Sequence, residues 1–561
     1  MTCPDRQAWP QPERRTGLRR TRRGTSARCV LFATAATTLT ILAPACQQGP
    51  EQVILWSDQQ LSALRAPLAE PATKAELSRA ARHVRCTGAI HEVVSFRLRI
   101  RATGVAARGP TLVATPLVAA TGARIEAEAV EVFRMHPVPI GRFPGWHLRA
   151  IPPQRRRPAP LDALVPVHAP LGGMPSELLP GEIYEFWVDV TIPKFTLEGV
   201  YVGRLELHTI GRLAGAFPIE LTVLPISLPV TADVPFIADV DHRGLLQPPR
   251  IESSSVQAAQ PMGETGTSAA TDAARLCATM RLLRRHGLTP VLPELGPTVR
   301  VDGRGDLMLD WRTYDAFAAP YLSGTAFDEH AAPTVWPLPL RSAFSTWFED
   351  WSTSSPDHVR LLRQYLSQAA GHFEAKGWLS RAYALPPIGA ELTPAAQDAM
   401  QAFARLARRA DERITVASPL WPQDMTPYGW VDDSASEAYE TRDARAIDVW
   451  VPPAQFYDRA AMAAERTEGR RTWVRVDRPP FSGSIAVCAR EADVRVLSWQ
   501  AASLGAEAVY LGCVNRWPEQ ASSAPPETCV RANPDVLMYP GEPFGLNEPV
   551  ATLRLKHLRR S

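Results

Sequence analysis

The sequence predicts a β-sandwich N-terminal domain followed by a (β/α)8 TIM-type barrel, on three observations. Between residues 90 and 230, apolar and polar residues alternate in short runs broken by Gly and Pro, with no helical period. After Leu228-Pro229 the pattern changes to short apolar runs that alternate with amphipathic stretches of helical period. Eight such units follow in about 330 residues, a length that suits an eight-fold barrel.

The sandwich strands are read from alternation. Phe96, Leu98 and Ile100 alternate with Arg97, Arg99 and Arg101, which predicts a strand with one wet face. Further strands are expected at Val130–Arg134, Phe186–Ile192, Gly199–Leu207 and Ile219–Val223. The barrel strands are expected at Pro235–Ala238, Thr289–Leu292, Thr334–Leu338, Ala382–Leu385, Ile414–Ser418, Ile447–Val451, Thr472–Val476 and Ala508–Leu511. One helix places Leu276, Met280 and Leu283 on a single face and ends at Gly287. A second starts at Ser355-Pro356-Asp357, turns Val359, Leu362, Leu366 and Phe373 inward, and stops at Gly377. A third runs from Glu491 to Gly505, and a fourth follows Thr393 as N-cap and Pro394 as first helical residue. Pro248–Ala270, rich in Ser, Ala, Thr and Gly, is expected to be an insertion without an apolar period. An open doubly wound sheet is the alternative, but no glycine-rich phosphate loop follows the first strand.

The 561 residues suffice for two domains with real cores, and 45% hydrophobic with 21% charged residues is ordinary globular composition. A formal net charge of +3 gives no electrostatic case for nucleic acid, and much of the basic excess lies between Arg14 and Arg28. Residues 1–46 read as a targeting segment: an arginine-rich start, an apolar run from Cys29 to Ala45, then small residues. Leu42-Ala43-Pro44-Ala45-Cys46 resembles a bacterial lipobox, which implies acylation at Cys46 and a lipid-anchored protein of the bacterial cell envelope, on its periplasmic or surface side. Residues 47–89 read as a tether. The domain plan is therefore signal peptide 1–46, tether 47–89, sandwich 90–230 and barrel 231–561. Beyond the leader remain Cys86, Cys277, Cys488, Cys513 and Cys529, none in CxxC spacing, so no metal site and no cofactor are expected.

The barrel turns on Gly377–Gln397, where Glu391 sits between a predicted strand and a predicted helix, the place where barrel enzymes keep their chemistry. Lys376-Gly377-Trp378 with Arg381-Ala382-Tyr383 resembles the approach to the catalytic loop of family 123 glycoside hydrolases and of a broader domain family of unknown function that shares their barrel. Glu92–Phe96, Asp162–Pro166 and the run from Trp187 to Gly203 resemble that family's N-terminal domain. Trp499 through Trp517, Tyr539-Pro540-Gly541 and Thr552–Arg559 resemble its closing segments. The likeness spans roughly Ile90–Arg559.

The resemblance implies release of β-linked N-acetylgalactosamine by a substrate-assisted route. The substrate's acetamido oxygen attacks the anomeric carbon, an aspartate orients that amide, and the following glutamate protonates the leaving oxygen. The family loop reads Asp-Glu-Pro, whereas this chain reads Ala390-Glu391-Leu392. Glu391 matches the acid; Ala390 cannot orient anything. A family tryptophan aligns with Gly512, and an aromatic near Trp473 is replaced by Arg475. Asp239, Asp241 or Asp477, each expected just past a strand's C-terminal end, are candidate replacements for the lost carboxylate. Tyr383, Asn515, Trp517, Asp239 and Asp241 are the candidate sugar contacts, while Trp378 reads as core and His242 as an isolated histidine. Two functions follow: a glycoside-hydrolase-like lipoprotein acting on or recognising glycans or polysaccharides, or an inactive barrel that binds glycan or protein. A mainly structural envelope lipoprotein is the third.

Overall fold

The computed structural model describes residues 52–57, 82–151, 156–229, 232–242, 265–340, 356–387, 393–422, 446–517 and 525–560. The N-terminal part is two sheets packed face to face. One sheet orders its strands Gln52–Trp56, Val93–Thr103, Ile183–Thr191, Val130–Pro137 and Leu161–Pro166. The other runs Val84–Ile90, Arg212–Ser227, Gly199–Thr209, Leu117–Ala119 and Arg124–Ile125, with Pro110–Ala114 also paired to Gly199–Thr209. Phe96, Leu98 and Ile100 point inward to meet Phe217, Ile219 and Leu221 of the facing sheet, all almost fully buried.

Two expectations need correction here. Residues 47–89 are more than a tether, since Gln52–Trp56 and Val84–Ile90 are strands of the sandwich. The arginine face of strand 93–103 is not wet: Arg97 is 9% exposed, and Arg97 and Arg99 both lie 3.4 Å from Glu185 on the adjacent strand. Alternation reports that one face is polar. Whether water or another element covers it is decided elsewhere in the chain.

Strand pairing changes from mainly antiparallel to a parallel sheet between Ser227 and Phe236. Eight parallel strands follow, and each coincides with an expected run, trimmed or shifted by a few residues. Six are paired in the order Leu288–Val291, Phe236–Asp239, Ala508–Cys513, Arg471–Arg475, Val449–Trp450 and Ala417–Ser418. A parallel bridge from Val416 to Ala384 then leads to the pair Ala382–Tyr383 and Trp336–Pro337. This is the neighbour order of an eight-stranded ring. Among the described residues no pairing joins strand 336–337 to strand 288–291.

Helices alternate with these strands, and their ends follow local code. Gly287 and Gly505 close helices Thr265–Arg285 and Glu491–Leu504 at φ +79° and +68°, the left-handed conformation that glycine adopts without a Cβ clash. Helix Pro394–Ala410 begins as expected, with Thr393 Oγ1 accepting the Ala396 N–H at 3.1 Å. Two more expectations fail. Val359 in helix Pro356–Ala375 is 42% exposed, because it sits at the edge of the stripe that buries Leu362, Leu366 and Phe373. Residues 265–270 belong to helix Thr265–Arg285 rather than to the insertion, the rest of which (Pro248–Glu264) lies outside the described residues.

Sandwich and strand–helix region share one core. Val138, Ile140, Ala163, Val165 and Ala169 of the former pack in the same cluster as Ile237, Leu537 and Tyr539 of the latter. Helix Leu553–Arg559 locks the joint. Its Arg554 donates to both oxygens of Asp162 at 3.0 and 2.9 Å, and Tyr539 donates to the same carboxylate at 2.5 Å. Lys556 donates to Asp189 at 2.7 Å, and Arg559 lies 3.0 Å from that carboxylate. All these charges but Arg559 are at most 3% exposed. No described helix is long and apolar enough to cross a membrane.

Candidate functional site

The C-terminal ends of the parallel strands bring together residues far apart in sequence. Asp239 ends strand 236–239 at 1% exposure, and the Tyr510 hydroxyl from the adjacent strand donates to its Oδ2 at 2.5 Å. Just beyond, the fully buried Asn515 amide clamps the backbone of Asp241. Its Oδ1 accepts the Asp241 N–H at 2.7 Å and its Nδ2 donates to the Asp241 carbonyl at 2.9 Å. A two-point bond from one rigid amide fixes the chain after strand 236–239 against the chain after strand 508–513. The Cys513 thiol, 3.9 Å from Asn515 Oδ1, has its pKa raised by burial.

Tyr383 lies inside the ring of strands at 3% exposure, its ring edge-on to Trp473 at 5.1 Å and 84°. The Trp473 indole N–H is buried and has no hydrogen-bond partner among the described residues. Trp517 is 7% exposed, donates its indole N–H to the Met538 carbonyl at 3.2 Å, and packs in the main core. Trp378 is core as well, edge-on to Phe373. The structure thus gathers Asp239, Asp241 and Asn515 at one locus, sets Tyr383 on Trp473, and holds Trp517 as a packed wall. His242 follows Asp241 and is half-buried. Glu391 and Ala390 lie in 388–392, outside the described residues, between strand 382–383 and the Thr393 cap.

Asp477 belongs to a different neighbourhood. Its N–H donates to Ser482 Oγ at 2.9 Å, and its carboxylate lies 3.6 Å from Arg478 and accepts the Gln455 N–H at 3.4 Å. Gly512, the position expected to stand where the resembling family has a tryptophan, has a distinct backbone. It sits at φ +76° where the pairing of strands 236–239 and 508–513 skips a residue, a backbone state that a tryptophan rarely adopts.

Sequence reading missed Tyr510, which is hidden in an apolar strand run, and the pair Trp421 and Phe456. These two rings stack at 4.0 Å and 9°. The available signal was an aromatic a few residues beyond each of two adjacent strands. A cavity of about 150 Å³ lies between strand 471–475 and helix 491–504, lined by Val474, Val476, Leu497, Leu504 and Val509 among others. It includes none of Asp239, Tyr383 or Asn515, so it is a flank feature and not this site. Among the described residues no cluster of His, Cys, Asp and Glu is arranged to hold a metal ion, and none of the five described cysteines is in a disulfide.

Comparison with solved structures finds the same fold in a glycoside hydrolase. The particular likeness is to a family 123 glycoside hydrolase from Clostridium perfringens, studied for glycolipid glycan hydrolysis. It is 13% identical over 91% of this chain and 87% of its own, with a TM-score of 0.61. At that identity the likeness establishes the fold. A family 39 glycoside hydrolase from Bacteroides cellulosilyticus aligns over 68% of this chain and 72% of its own at 11% identity, and its TM-score of 0.35 carries no argument. No family model matches the chain, and no curated protein matches it in sequence.

Proposed function

We propose that this chain handles glycans of the N-acetylhexosaminide type on a family 123-like scaffold whose eight parallel strands close into a (β/α)8 barrel. The observation that carries the reading is the two-part fold, shared over 91% of the chain with a glycan-hydrolysing enzyme. Glu391, in the stretch that follows strand 382–383, is the residue to protonate a leaving glycosidic oxygen. That role needs its carboxyl kept protonated near neutrality by apolar neighbours. The buried Asp239–Tyr510 pair and the Asn515-held Asp241 offer the carboxylates nearest in kind to the one that Ala390 lacks.

Ala390 and the backbone at Gly512 favour a second reading, a barrel that recognises glycan or protein with little turnover. The two are separated by assaying wild type, Ala390→Asp and Glu391→Gln on aryl β-N-acetylgalactosaminides. The expected outcome is very slow wild-type hydrolysis, a gain of roughly tenfold or more in Ala390→Asp, and loss of that gain when Glu391→Gln is added. Robust wild-type turnover abolished by Glu391→Gln would instead show that another carboxylate replaces the missing aspartate. Inactivity in both wild type and Ala390→Asp leaves the binding reading.

The leader supports export and a lipid anchor on the envelope. Mass spectrometry of protein from membranes is expected to find Cys46 as an acylated N-terminus. An unmodified Cys46, or a mature N-terminus elsewhere, defeats the anchor.

A further inference from the structure

We propose that Phe456, backed by Trp421, is the platform for a second sugar of the bound glycan, beside the sugar held over the strand ends. This rests on the glycan reading above and adds a subsite to it. Trp421 and Phe456 follow the adjacent parallel strands Ala417–Ser418 and Val449–Trp450 at their C-terminal ends, on the same rim as Asp239 and Asn515. Trp421 is 6% exposed and Phe456 38%. At 4.0 Å and 9° the indole covers one face of the benzene ring, while much of that ring stays open. Phe456 also closes the 3-10 turn Ala454–Phe456, so its backbone is fixed as well as its ring.

An exposed aromatic alone means little. Phe195 on the sandwich is 90% exposed, with Lys194 over its ring. Phe456 differs in having a rigid backing and polar neighbours with the right chemistry. Gln455 donates its N–H to Asp477 at 3.4 Å, Asp477 is 3.6 Å from Arg478, and Arg478 Nη2 is 3.5 Å from Gln455 Oε1. A pyranose presents an apolar face of axial C–H groups and an edge of equatorial hydroxyls. A flat ring meets the first; an amide, a carboxylate and a guanidinium meet the second.

The test is calorimetric titration of the full chain with methyl β-N-acetylgalactosaminide and with a β-N-acetylgalactosaminyl-galactoside. Wild type is expected to bind the disaccharide about tenfold more tightly than the monosaccharide. Phe456→Ala removes that difference without changing monosaccharide affinity, and Phe456→Tyr keeps it. Thermal unfolding of each variant confirms that it is folded. Disaccharide affinity unchanged in Phe456→Ala overturns the platform while leaving the glycan reading intact. Equal loss for both sugars also overturns it, by showing a purely structural role. Failure of wild type to bind either sugar overturns both readings.

Discussion

Asp189→Ala is expected to destabilise the protein by about 3–5 kcal/mol, read as a lower denaturation midpoint. The carboxylate is fully buried in the sandwich and accepts from Lys556 at 2.7 Å, Ser95 at 2.7 Å and the Trp187 indole at 2.8 Å, with Arg559 at 3.0 Å. Burial pushes its pKa up, but Lys556, Arg559 and these hydrogen bonds outweigh burial and hold it well below the usual carboxylate range. Removing it leaves the Lys556 ammonium, 3% exposed, without the carboxylate it is hydrogen-bonded to. The contrast is the Arg471–Glu507 pair at 2.9 Å, roughly half exposed on both sides, where Glu507→Ala should cost less than about 1 kcal/mol. If Asp189→Ala proves as mild as Glu507→Ala, the buried network is not what holds the joint.

Stability should also fall on mild acidification, from about pH 6.5 downward. His557 is 5% exposed, and burial, then Arg97, Arg560 and Arg495, lower its pKa to about 3, even with Glu491 at 3.5 Å. Burial, then Lys556 and Arg559, likewise lower His286 well below the ordinary value. In the unfolded chain both titrate near 6.5. Below that pH the unfolded state binds protons that the folded state refuses, so each histidine costs about 1.4 kcal/mol per pH unit, and for His557 the loss continues until about pH 3. Asp189 has the opposite timing. Its depressed pKa gives stability that is present above the ordinary carboxylate range and lost only as pH falls below it. Between pH 6.5 and 4.5 the histidines therefore dominate. Burial lowers His136 and His147 as well, so denaturation midpoints at pH 7.5 and 5.5 should show this loss and His557→Leu should remove part of it. An unchanged slope in His557→Leu would mean that another group carries the titration.

Much of the strand plan was legible because the parallel strands are largely buried on both sides and read as short apolar runs between turn signals. Ala508–Leu511 and Ala382–Leu385 are examples, and the structure places strands at both. Helix ends were legible because their signals act locally, Thr393 through its hydroxyl on the first turn and Gly287 and Gly505 through their own backbone. What depends on distant partners was not. The polar face of strand 93–103 looked solvated because Glu185 is remote in sequence. The Tyr510–Asp239 and Asn515–Asp241 bonds join residues 271 and 274 positions apart, and no local pattern announces them. Tyr383 and Trp517 were nameable as candidates, but their burial belongs to the packing of the whole ring.

The locking helix has a consequence for how the chain is made. Asp189 meets Lys556 across 367 positions, and Asp162 meets Arg554 across 392. At about 5–20 residues per second, a ribosome that has finished the sandwich needs roughly 20–70 seconds more before those cations exist. Throughout that interval the nascent sandwich carries two carboxylates that its final packing would bury without counter-charges. They keep water at the surface that later becomes the joint, and so oppose its premature closure on anything apolar. Chains truncated before Arg554 should expose that surface to proteases that full-length protein resists.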